Sequence, residues 1–155
     1  MQPQSHTAKR PMNAPTQRIL HVDDDAGVRA SLRLLLSIES YWVSSAATGR
    51  EAVQQVQAGF APDVLIVDSQ IDEDMDGAEV AEQIRIALGY SPPVIMLTGN
   101  PARAELPWIV DAPVWLAAKP VNPQLLLIAL QHLVPLSRAT RALLEPKKTH
   151  AARGS

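Results

Sequence analysis

Five short apolar runs punctuate the chain, and stretches with helical spacing separate most of them. The first, Arg18-Ile-Leu-His-Val22, stops abruptly in three acids, the form of a buried strand that has reached the rim of a sheet. Val28, Leu32, Leu35 and Leu36 then recur at helical spacing up to Ile38, and Leu34 and Ile38 widen that stripe. Tyr41–Ser45 reads as a second strand. Thr48, with Glu51 three positions later, makes a capping box in front of Ala52, Val53 and Val56, and Gly59 stops that helix. Val64–Val67 is a third strand running into Asp68, and Ala78–Leu88 a helix closed by Gly89. Val94–Leu97 and Val114–Ala117 are the fourth and fifth strands. Asn122 and Pro123 suit the cap and first position of a last helix, predicted to end at about Val134. Between the fourth and fifth strands, Pro107 stands between Pro101 and Pro113, so any helix there is predicted to be short or broken.

Strands that alternate with helices make parallel βαβ units, and a parallel sheet covered on both faces needs strands that are apolar throughout. The pattern therefore predicts an α/β fold, a doubly wound five-stranded parallel sheet, over residues 18–134. Residues 1–17, rich in Pro, Gln, Ser and Thr, read as a flexible tail, and residues 135–155 as a C-terminal tail. In such sheets ligands sit beyond the carboxyl ends of the strands. Asp23, Asp24, Asp68, Thr98 and Lys119 all fall at or just past such ends, which brings them to one rim.

Composition narrows the chemistry. Hydrophobic residues make up 46% and aromatics 4% of the 155 residues, so the core is aliphatic. No cysteine is present, which removes disulfides, thiolate-bound metal and thiol catalysis and fits a reducing compartment. The longest wholly apolar run, Leu125–Leu130, is far short of the about 20 residues that span a bilayer. With no signal-peptide pattern at the start, the expectation is a soluble, cytoplasmic protein with no membrane segment. The net charge of −2 is unevenly spread: residues 19–134 hold fifteen acids against six bases, and eight of those acids lie in Asp23–Asp25 and Asp68–Asp76. Carboxylates crowded in this way raise one another's pKa or recruit a cation, and a hard ion such as Mg2+ takes carboxylates, waters and phosphate oxygens. A carboxylate can also act as the nucleophile toward a phosphoryl group whose charge is neutralised, here by Lys119 and the metal, with Thr98 donating a hydroxyl.

Five segments together resemble the signature blocks of response-regulator receiver domains: Arg18–Asp25, Pro62–Asp68, Met75-Asp-Gly77, Pro93–Gly99 and Ala118-Lys-Pro120. The resemblance covers about residues 18–134. It implies a flavodoxin-like strand order 2-1-3-4-5 and a signalling module rather than an enzyme. Asp68 would accept phosphate from a histidine kinase or histidine phosphotransfer protein. Asp23, Asp24, Asp68 and the backbone carbonyl of Gln70 would hold Mg2+, Thr98 and Lys119 would bind the phosphoryl group, and the Lys119–Pro120 bond would be cis.

Three departures accompany the resemblance. Gly77 lies one residue farther from Asp68 than the family places its glycine, so the loop Asp72–Asp76 is longer, more acidic and lacks the usual proline. Leu116 stands where the family carries its switch aromatic, with Trp115 one step away and so on the opposite face of the strand. The third is the proline-interrupted connection before Pro113. Two other readings stay open. One is a haloacid-dehalogenase-like phosphatase with its nucleophile in Asp23–Asp25, which lacks the further acids expected soon after Lys119. The other is a receiver-shaped docking module not regulated by phosphate. Residues 135–155 are too few for a DNA-binding domain, so output is expected through protein contact, with a homodimer through Leu125 and Ile128 as one form of it.

Overall fold

A computed structural model describes residues 17–71, 76–100 and 113–144. Among them run β1 (Arg18–Val22), α1 (Ala26–Ile38), β2 (Trp42–Ala46), α2 (Gly49–Gln57), β3 (Val64–Asp68), α3 (Gly77–Leu88), β4 (Val94–Thr98), β5 (Val114–Ala118) and α4 (Pro123–Leu144). The strands form one parallel sheet in the order β2-β1-β3-β4-β5. The predicted sheet and its order are therefore present, with boundaries shifted by one or two residues. No helix among the described residues is long and apolar enough to cross a membrane. The proline-rich connection at 101–112, most of the acidic loop (72–75) and residues 1–16 and 145–155 lie outside the described residues.

Alternation along each strand explains the continuous apolar runs. Ile19, Val64, Ile66, Ile95 and Leu97 pack on one face against Leu32 and Leu36 of α1 and Leu126, Leu130 and Leu133 of α4. Leu20, Val22, Leu65, Val67, Val94 and Met96 pack on the other against Ala52 and Val56 of α2 and Val80 and Ile84 of α3. Leu34 and Ile38, predicted to widen the core stripe of α1, are instead exposed on its outer side. One stripe of a helix suffices to cover a sheet.

The caps form as their sequences dictate. Thr48 Oγ1 accepts from Glu51 N–H, and the Glu51 carboxylate reaches back to Ala47 N–H at 2.8 Å, one residue outside the usual capping box. Asn122 accepts from Gln124 and Leu125 N–H at the start of α4, and Gly89 ends α3 at φ 74°, a conformation that favours glycine.

The end of α4 departs from expectation. The helix passes through Pro135 and continues to Leu144, so residues 135–144 are helix and not tail. A proline costs the helix one backbone hydrogen bond. An ionic clasp at the amino-terminal end of the sheet holds the turns beyond it. The buried Asp63 carboxylate accepts two bonds from Arg138, at 3.1 and 3.2 Å, one from Arg141 at 3.4 Å and one from Arg18 N–H at 2.9 Å. Arg141 also lies over the Tyr90 ring at 4.3 Å, and the Tyr90 hydroxyl donates to Pro62 O.

The partners in this clasp differ in their access to water, and the consequences of removing them should differ too. Both arginine side chains are 30% exposed and can turn outward, whereas that of Asp63, at 3%, cannot. Arg138→Ala with Arg141→Ala is expected to lower the unfolding free energy by about 3 kcal/mol, because it strands a buried charge. Asp63→Asn, which keeps an acceptor for Arg18 N–H, should cost about 1 kcal/mol. Urea denaturation followed by circular dichroism measures both, and equal losses would contradict this account.

Candidate functional site

The candidate residues meet where the chain reverses its direction of winding, between β1 and β3. Asp23 follows β1 directly and Asp68 ends β3, the next strand. Asp23 is fully buried, Asp68 nearly so, and Asp24 is exposed. One carboxylate oxygen from each of Asp23, Asp24 and Asp68 lies within 4.8 Å of the others, a set that could hold a metal ion. An all-oxygen, anionic donor set suits a hard divalent cation.

Lys119 supplies the positive charge. Its Nζ stands 2.7 Å from Asp68 Oδ2 and 3.4 Å from Asp23 Oδ2. Burial opposes the charge on the ammonium, but its hydrogen bonds and its attraction to Asp68 and Asp23 outweigh that and hold its pKa above the ordinary value. Its own N–H donates to Thr98 O at 2.8 Å, which ties it to the end of β4, and the Lys119–Pro120 peptide is cis, as the resemblance implied.

Backbone donors fix the two carboxylates. Asp25 N–H bonds Asp23 Oδ1 at 2.9 Å and Gln70 N–H bonds Asp68 Oδ1 at 3.2 Å. Thr98 is buried, and its Oγ1 accepts from Asn100 N–H at 3.2 Å, which leaves the hydroxyl proton to donate. A Cβ at Gly77 would collide with the Asp68 carbonyl and come within 2.8 Å of Met96 Sδ, so only glycine lets α3 begin this close to the acidic pair. Asp76 caps that helix through Glu79 N–H and forms an isolated bridge with Gln70, closing the loop onto the site.

The β4–β5 register sets Met96 beside Leu116 and Thr98 beside Ala118. Leu116 therefore shares the face of Thr98, while Trp115 points to the other and is exposed. Beside the site, a groove of about 520 Å³ runs between α1 and the β5–α4 connection, walled by Val28, Leu32, Leu35 and Val121, with Asp25 and Lys119 among its lining.

Two neighbours of the site escape a sequence reading. Arg29 Nη1 donates to Asp23 O at 2.8 Å. His21, fully buried on β1 two residues before Asp23, places Nε2 3.9 Å from Asp23 Oδ2. Its one signal in the sequence is a polar residue inside an otherwise apolar run. Burial, then repulsion from Lys119 and Arg29, lowers its pKa to about 4 against the opposing pull of Asp68.

A model of the response regulator receiver domain matches residues 19–131. The response regulator MprA of Mycolicibacterium vanbaalenii is 41% identical over 88 residues, 57% of this chain and 37% of that protein. MprA of Mycobacterium leprae is 42% identical over the same shares. The chain thus spans well under half the length of these curated relatives. Among solved structures, a CheY-like response regulator receiver domain protein from Methanospirillum hungatei JF-1 superposes with a TM-score of 0.69 at 27% identity, over 81% of this chain and 98% of the other. The chemotaxis protein CheY4 of Vibrio cholerae gives 0.64 at 32%, over 76% and 98%.

The histidine makes stability depend on pH in a definite sense. With a folded pKa of about 4 against 6.5 when exposed, the unfolded chain binds more protons between those values, so stability rises over that window and is lost on acidification. The change in stability across that window amounts to about 3 kcal/mol. Urea unfolding at pH 6.5 and pH 4.5, on the wild type and on His21→Leu, should show the variant losing that part of the pH dependence. Parallel profiles would assign the titration to other groups.

Proposed function

The chain belongs to the response regulator receiver domain family, and on that premise we propose that it is a phospho-acceptor switch of a two-component phosphorelay. Asp68 takes the phosphoryl group of a histidine kinase or histidine phosphotransfer protein, with Mg2+ beside it. The observation that carries this reading is Lys119 Nζ bridging Asp68 and Asp23 at the rim of the sheet.

An Asp68 carboxylate oxygen attacks phosphorus in line, the P–N bond of the donor phosphohistidine breaks, and its electron pair returns to the imidazole ring. The product is an acyl phosphate. Asp68 then no longer carries its carboxylate charge, so Lys119 turns from it to a phosphoryl oxygen, and the Thr98 hydroxyl donates to another. Asp23, Asp24, Asp68 and the Gln70 carbonyl would hold Mg2+, whose charge offsets that of the transferring group. The apolar groove beside Lys119 is the approach for the protein that carries the phosphohistidine. Asp23 is a poor candidate for the nucleophile of the phosphatase reading, because it is fully buried with Oδ1 held by Asp25 N–H.

Asp68→Asn keeps the shape of the side chain and removes the anionic oxygen. Incubation with acetyl phosphate and Mg2+ is expected to add the mass of one phosphate to the wild type and none to the variant, with both folded. Equal labelling would move the acceptor away from Asp68, to the exposed Asp25 first and to the buried Asp23 only after it. Labelling of neither protein would favour the docking-module reading.

The outward face of α4 is the surface for a second copy of the chain. Leu125 is 63% and Ile128 48% exposed, and from Pro123 to Ser137 the helix carries no acid, lysine or arginine. Arg138 and Arg141 turn inward to Asp63, so among the described residues of this helix no charge stands beside Leu125 and Ile128 to repel an identical face. Light scattering at rising concentration should show a dimer that Leu125→Glu with Ile128→Glu dissolves. A wild type that stays monomeric throughout would reject this part of the proposal, and a dimer untouched by the charges would place the contact elsewhere, with Leu34 and Ile38 on α1 the next candidates.

A further inference from the structure

Beneath the acidic pair lies a side chain whose placement the fold itself does not explain. His21 is fully buried, and neither Nδ1 nor Nε2 has a hydrogen-bond partner among the described residues. Its register neighbour on β3 is Ile66, and Ile19 lies on the same face of β1, so an aliphatic side chain would suit the position. Its neighbour on β2, Ser45, likewise buries an unpartnered Oγ. A polar line therefore runs from Ser45 through His21 to Asp23 within an apolar layer. Buried polar atoms left unpaired destabilise the folded chain, and a group that does so calls for an explanation in function.

The direction of the ring supplies one. Nε2 is 3.9 Å from Asp23 Oδ2, too long for a hydrogen bond, and that oxygen has Lys119 Nζ at 3.4 Å. The Asp23 Oδ1 atom is already held by Asp25 N–H. If Lys119 turns away to a phosphoryl oxygen, Oδ2 loses its ammonium, and His21 Nε2 remains 3.9 Å from it.

We infer that His21 is a positioning residue for Asp23, whose ring N–H takes hold of Oδ2 from beneath and keeps the carboxylate aimed at a bound cation. The inference rests on the metal-dependent reading of the site. Groups that orient ligating carboxylates commonly change metal affinity by about 10- to 100-fold when removed. The same substitution should stabilise the metal-free chain, because it replaces two unpaired polar atoms with apolar surface. Opposite signs for the two effects separate positioning from simple packing.

The test is isothermal titration with Mg2+ in the presence of beryllofluoride, which stands in for the phosphoryl group, and thermal melting of the metal-free protein, on the wild type, His21→Leu and His21→Gln. His21→Leu is expected to raise Tm while weakening Mg2+ binding at least about tenfold. His21→Gln, with an amide N–H of similar reach, should recover most of the affinity. Equal Mg2+ affinity in the wild type and the leucine variant would overturn the inference alone, as would weak binding that glutamine does not restore. A wild type that binds no Mg2+ would overturn the metal reading and the inference with it.

Discussion

Two aspartates stand side by side at the ends of neighbouring strands, one fully buried and the other nearly so, with the Lys119 ammonium shared between them. Two unpaired negative charges at that spacing in a poorly hydrated rim would repel each other strongly, so the site depends on the delivery of Lys119. That residue lies 96 positions from Asp23 and 51 from Asp68. Only the folding of all five strands in the order found brings it there, and its N–H bond to Thr98 O fixes where it leaves β5. Gly77 meets a related demand from the other side, since α3 starts against the Asp68 carbonyl itself. The acidic rim and the topology therefore constrain each other.

The opposite end of the sheet inverts this arrangement. There one buried carboxylate, Asp63, is held by two arginines and a backbone N–H. Arg138 grips with two nitrogens, and planar guanidinium groups make such pairs directional. Lys119 is instead a flexible point charge, 28% exposed, shared between two acids. One end of the domain is clasped, while the other has a partly exposed cation that the proposed phosphoryl transfer would draw away from Asp68. That difference suits a scaffold fixed at its base and responsive at its rim.

Much of this was legible in the sequence because it depends on local rules. Strands buried on both faces must be apolar throughout, and Thr48, Asn122 and Gly89 cap helices for reasons contained within a few residues. The convergence of Asp23, Asp24, Asp68, Thr98 and Lys119 followed from strand ends in a parallel sheet, and the opposite facing of Trp115 and Leu116 from strand alternation. What stayed hidden depends on distant partners. Asp63 looks like a loop acid after Pro62, and its arginines are 75 and 78 residues away, so Pro135 reads as a helix stop when the chain beyond it is in fact held. Leu34 and Ile38 carry the right spacing for the core, but hydrophobicity alone does not say how wide a stripe the sheet will cover. His21 hides inside an apolar run because a lone polar residue there carries no period.

The placement of Leu116 bears on how the rim communicates with the rest of the domain. An aromatic side chain on the Thr98 face could follow the hydroxyl and report its position outward, but Leu116 offers no ring and Trp115 lies on the other side of the sheet. The remaining covalent route from the acidic pair to a surface is short. Lys119 is followed by the cis bond to Pro120 and then by Val121 and Asn122, whose side chain caps α4. The first turns of that helix expose Leu125 and Ile128 while their neighbours Leu126 and Leu130 anchor it in the core. The same cation that neutralises Asp68 is thus joined through three residues to a helix whose outward face exposes Leu125 and Ile128, and that helix is anchored at its far end by Asp63.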